Sequence, residues 1–196
     1  MQATEVNNHT GFNAFESDPC HNPCRDLTTF INGHVCLLGI GNRYWRDDGV
    51  GSLIAEALES CTESASREFD VVDAGFIPEN YLETVAGKHP DTILMIDATD
   101  FGGAPGQVRL LYPDKVAYSG ISTHAGSLRM LAEYLHARTQ ARIAVLAIQP
   151  ADTSEGEGLS PLVSKTFRDL LEFLPAVCGR YALKGKKSIA KNRETP

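Results

Sequence analysis

Apolar positions recur along this chain with two periods, and the switch between them marks its elements. Val35–Ile40 is an uninterrupted apolar run of strand length, and Thr92–Asp97 and Arg142–Ile148 read the same way. Such runs fit strands covered on both sides of a parallel sheet. Phe69–Asp73 is a shorter strand and Gln107–Leu111 a further one. Between them the period becomes helical. Val50, Leu53, Ile54, Ala57 and Leu58 share one side, as do Leu128, Leu131, Ala132 and Leu135. Residues Pro78 to Gly87 read as a helix with Leu82, Val85 and Ala86 inward. Ser160 and Pro161, an N-cap and a first-turn proline, open a last helix carrying Leu162, Val163, Phe167, Leu170 and Leu171. Alternating strands and helices predict an α/β fold: a single doubly wound, mostly parallel sheet with helices on both faces.

The periodic signal divides the chain. Residues 1–32 are polar, lack periodicity and are interrupted by Pro19 and Pro23, so an irregular N-terminal arm is expected. Residues 33–179 form the α/β domain, and 180–196 a basic C-terminal tail. Charge sharpens this picture. Six Lys/Arg and one acid fall from Arg180 onward, leaving 12 basic against 24 acidic residues in 1–179. A body at −12 argues against nucleic acid as partner. No apolar run reaches the ~18 residues of a membrane span, and the start lacks the regions of a signal peptide. Five cysteines, one of them Cys36 in a buried strand, suit a reducing compartment, so a cytoplasmic protein is expected. No apolar face is left over, and a monomer is expected. Cys20, His21 and Cys24 resemble half of a zinc site, but no second pair at zinc spacing follows.

Chemistry concentrates where strands end. The turn from Gly41 and Asn42 to Asp47, Asp48 and Gly49 joins the first strand to the first long helix. It fails as a dinucleotide loop: the third fingerprint position is Tyr44, and two aspartates would repel a pyrophosphate. One of these aspartates can cap the helix, which leaves the other to face a cleft. The second and third strands also close on acids, Asp73 and Asp97, and His124 precedes a helix. In a parallel sheet these ends share one edge, so the four positions can converge. Carboxylates plus an imidazole make a divalent-metal site with open positions. The helix terminus disfavours imidazolium, which keeps His124 available as a ligand.

Taken together, these residues resemble the hydrogenase maturation endopeptidases, which trim the large subunit of nickel–iron hydrogenases. The resemblance runs from Val35 to Leu174. It rests on Gly39-Ile40-Gly41-Asn42 with Asp47-Asp48-Gly49-Val50-Gly51, on Asp73-Ala74-Gly75, Pro78-Glu79-Asn80 and Ile96-Asp97-Ala98, and on Ser122-Thr123-His124, Ile148-Gln149-Pro150 and Leu159-Ser160-Pro161. The variants at Pro78-Glu79-Asn80 and Thr123-His124 are most like the hydrogenase 3, formate hydrogenlyase, type.

The resemblance implies an endopeptidase that removes the C-terminal extension of a nickel-loaded large-subunit precursor. It implies metal ligation by Asp48, Asp97 and His124. The nickel would come with the substrate, and zinc or cadmium could stand in for it. No catalytic triad or His-Glu-x-x-His motif is present. Metal-assisted hydrolysis is therefore expected, with Asp48 or Asp73 taking the proton and Asp47 and Asn42 orienting the ligands. The alternative is a non-catalytic nickel-binding or chaperone module on the same fold.

Overall fold

The computed structural model describes residues 23–61, 69–113 and 125–191, with side chains omitted at 61, 125–127 and 180–191. Five strands form one sheet: β1 (Val35–Ile40), β2 (Asp70–Gly75), β3 (Thr92–Ala98), β4 (Val108–Leu111) and β5 (Arg142–Ile148), in the order β2-β1-β3-β5-β4. The first, second, third and fifth run parallel, and only the edge strand β4 is antiparallel. Apolar runs without polar alternation are buried strands because both sides are covered, and β1 and β3 are buried along their whole length.

The helices are α1 (Pro23–Phe30), α2 (Val50–Cys61), α3 (Leu82–Ala86), α4 (Ala125–Thr139) and α5 (Pro161–Lys191). The strand pleat sorts the core into two layers. Val35, Leu37, Leu94, Ile96, Leu146 and Ile148 pack with α1, α2 and α5. Leu38, Ile40, Ile93, Met95, Val145 and Ala147 pack with α3 and α4 on the other side. Helices on both faces are what the alternating pattern predicts.

Two boundaries differ from the sequence expectation. Residues 23–30 are helical, and Leu27, Phe30 and Ile31 sit in the core, so the domain begins inside the expected arm. The last helix runs on to Lys191, into the expected basic tail. Residues 1–22, with Cys20 and His21, lie outside the described part; Cys24 packs half-buried against the core. Among the described residues no helix is long and apolar enough to cross a membrane.

The order of strands creates the site. From β1 the chain moves outward to β2, then returns past β1 to β3 on the other side. The connections leaving β1 and β3 therefore part at their carboxyl ends and open a crevice there, the usual ligand position in such sheets.

Candidate functional site

Close packing brings the β1–α2 turn over the end of β3. Gly51, in the first turn of α2, lies so near the strands that a Cβ there would meet the Ile96 carbonyl oxygen at 2.0 Å and that of Ile40 at 2.4 Å. Gly41, at φ +141°, admits the Asp48 carbonyl in the same way. Backbone without side chains at these two points lets Asp48 approach β3.

Asp97 is fully buried at the end of β3, between Ile96 and Ala98, whose side chains point to the opposite layer. Its Oδ2 accepts the Thr99 hydroxyl at 2.9 Å, whereas its Oδ1 is buried with no hydrogen-bond partner among the described residues. Burial raises its pKa to about 8; the Thr99 bond opposes the rise, and the charge of nearby Asp48 adds to it. An orphaned carboxylate oxygen is costly to bury. A second carboxylate beside it makes the pair suitable for a divalent cation.

Asp48 is half-buried in a one-turn 3-10 helix, Arg46–Gly49. Its Oδ2 accepts the Asn42 N–H at 2.9 Å, so Asn42 orients this carboxylate through its backbone. The Asn42 side chain instead accepts the Tyr44 N–H.

The adjacent aspartate does something else. Asp47 is fully buried, and its carboxylate accepts the N–H groups of Ala151, Asp152 and Ser160. It pins the loop of residues 151–160 to the β1–α2 turn and caps no residue of α2. Backbone bonds between Arg46 and Gly156 and between Gly156 and Tyr44 complete the join. Ser160 precedes α5 as expected, but among the described residues its hydroxyl has no partner, so it does not cap; its N–H goes to Asp47.

Asp73 does not join the Asp48–Asp97 pair. It pairs across the register with Gly39, which itself pairs with Ile96, so Asp73 stands on the α2 side of the sheet. Asp97, one residue beyond Ile96, stands on the other side. Asp73 Oδ1 accepts the Ser52 hydroxyl at 2.7 Å and the Gly75 N–H at 3.1 Å, and Oδ2 binds the Arg43 guanidinium. Three hydrogen bonds spread over both oxygens hold the carboxylate in the turn. Of the positions expected at one edge, Asp73 thus stands on the opposite side of the sheet from Asp97.

Arg43, which the sequence reading did not single out, ties Asp73, Ser52 and Glu56 together. Gln149 was likewise missed as an organiser. Its buried amide accepts the N–H groups of Phe101 and Gly103 and donates to Asp100, shaping the loop after β3.

His124 lies outside the described residues, immediately before α4. Among the described residues no three His, Cys, Asp or Glu side chains form a metal-sized cluster. A cavity of about 610 Å³ lined by Phe30, Ala132, His136 and Arg142 opens at the amino end of β5, the wrong end of the sheet for Asp97.

A family model described as hydrogenase maturation protease (HycI) matches residues 53–176. The hydrogenase 3 maturation protease of Escherichia coli (strain K12) is 35% identical over 115 residues, covering 58% of this chain and 71% of that protein. A putative hydrogenase maturation protease of Methanocaldococcus jannaschii is 28% identical over 121 residues, 59% of this chain and 72% of its own. The crystal structure of a [NiFe] hydrogenase maturation protease HycI from Thermococcus kodakarensis KOD1 superposes with a TM-score of 0.70 at 29% identity, covering 78% of this chain and 98% of that one.

Proposed function

The chain belongs to the hydrogenase maturation protease family, and from that premise we propose that it cleaves the C-terminal extension from a nickel–iron hydrogenase large-subunit precursor, gripping the precursor's own nickel through Asp48, Asp97 and His124. The observation that carries the reading is the orphaned Oδ1 of buried Asp97 beside Asp48 at the topological switch point. Two neighbouring carboxylates repel each other and favour a cation between them, so a substrate that carries one is held more firmly than one that does not. That makes the nickel a checkpoint for the precursor's readiness; zinc or cadmium would fit the same donors.

In the cleavage itself, water adds across the scissile peptide bond, and one new end is a carboxylate and the other an amine. The ion supplies Lewis-acid polarisation of the carbonyl or the water. Asp48, held by the Asn42 N–H, is half-exposed to the crevice and can take the water's proton and pass it to the leaving amine. Asp73, with both oxygens engaged, is the weaker candidate for that role.

Incubating the purified chain with nickel-loaded and nickel-free precursor and following precursor mass tests this. Loss of the tail from the nickel-loaded form alone supports the reading. A stable nickel-dependent complex with no mass loss would favour a nickel-binding chaperone instead.

A further inference from the structure

Large apolar side chains stand out of the surface at the same end of the sheet as this crevice. Tyr44, 67% exposed, and Trp45 lie in the β1–α2 turn. Phe76, 60% exposed, Ile77 and Tyr81 lie in the connection that leaves β2. The two segments start from neighbouring parallel strands, and their roots are joined by the Gly41 N–H donating to the Gly75 carbonyl. They therefore rise from the same end of the sheet, and the first also carries Asp48. Ile40 and Val72, close by in sequence, are buried, whereas these side chains are not. Exposed aromatics gathered on one rim mark a contact surface.

On the far side of Trp45 lies an acidic wall. The loop of residues 151–160 bears exposed Glu155 and Glu157, with Asp152 paired to Arg46, and it is fixed to the turn by the Trp45–Gly156 bridge and by Asp47.

We propose that this aromatic rim with its acidic flank is the docking surface for the folded body of the precursor, as distinct from the tail that is cut. The occupant presents an apolar patch bordered by Lys or Arg. The proposal rests on the proteolytic reading, since a site that acts on a protein must be ringed by a protein-binding surface. A second copy of this chain fits poorly, because its acidic body, −12 over residues 1–179, would set like charges against the wall. Aromatic anchors in the centre and charges at the edge give affinity and steering respectively.

The test uses the full chain and a nickel-loaded precursor. Substituting Tyr44→Ser, Trp45→Ser and Phe76→Ser together is expected to raise Kd and KM about tenfold or more, with kcat within about twofold. Reversing the wall by Glu155→Lys with Glu157→Lys is expected to slow association and flatten its salt dependence. Met130→Ser, an exposed apolar position on α4, serves as the unaffected control. Unchanged Kd and KM in the triple variant overturn the proposal. So does a dimer of the wild-type chain, seen by sedimentation, that the triple variant abolishes. Tight binding lost in the triple variant but without any cleavage by wild type would sink the proteolytic reading and leave the docking surface standing.

Discussion

Asp47 and Ser160 are joined by a 2.7 Å hydrogen bond from the Ser160 N–H to Asp47 Oδ1, across 113 residues of sequence. With the Ala151 and Asp152 N–H groups on Oδ2, one buried carboxylate fastens the loop before α5 to the turn after β1. Its neighbour Asp48 accepts the Asn42 N–H instead, and its charge is felt at Asp97.

That division of labour sets opposite expectations for two adjacent residues. Asp47→Ala leaves three backbone donors without their acceptor and is expected to cost about 3 kcal/mol in urea unfolding. Asp48→Ala is expected to change stability by less than about 1 kcal/mol. Equal losses in both variants would contradict the assignment.

Asp97 predicts how the metal-free protein responds to pH. Its folded pKa, about 8, lies above the ordinary value near 3.8, because burial and then the Asp48 charge outweigh the Thr99 bond. Between those limits the unfolded chain gives up this proton while the folded chain keeps it. Rising pH therefore favours unfolding, by up to about 1.4 kcal/mol per pH unit. The contribution is intact below about pH 4 and gone once pH passes about 8. Urea midpoints of chelator-treated wild type are expected to fall from pH 5 to pH 8 more steeply than those of Asp97→Asn. Parallel curves would contradict the burial of an ionisable oxygen here.

Asp73 is expected to be structural. Asp73→Asn keeps a partner for Ser52 but loses the charge opposite Arg43. Its expected effect is a destabilisation of about 1 kcal/mol for this partly exposed ion pair, with processing reduced less than about tenfold. Near-complete loss of kcat with unaltered stability would restore Asp73 as general base.

Gly51 packs tightly against the strand ends. A methyl group at Gly51→Ala would press on the Ile96 and Ile40 carbonyls, which are backbone and cannot swing aside. A cost of about 3 kcal/mol or more is expected in thermal or urea unfolding, with retreat of Asp48 from Asp97. A variant as stable as wild type would mean that α2 is not held against the strand ends.

Much of this was legible in the sequence for simple reasons. Buried parallel strands are apolar throughout, so Val35–Ile40 and Thr92–Asp97 announce themselves. Their ends then carry the unusual acids. What stayed hidden depends on pairing. Whether Asp73 shares a side with Asp97 follows from the Gly39–Asp73 and Gly39–Ile96 register, which no single strand reveals. Helix α1 escaped because its apolar side is short, with Leu27 and Phe30 set among polar residues. Arg43 escaped because its partners Ser52, Glu56 and Asp73 come from two other elements. A basic residue in a turn near acidic strand ends was the available signal.

The central claim, that Asp48 acts at the crevice with Asp97 while Asp47 only builds it, is tested most directly by one time course. Nickel-loaded precursor is mixed with wild type or Asp48→Ala, and release of the C-terminal extension is followed by mass spectrometry. Wild type is expected to release it, and Asp48→Ala to do so at least about a hundredfold more slowly while remaining folded. Release by Asp48→Ala at the wild-type rate would contradict the account.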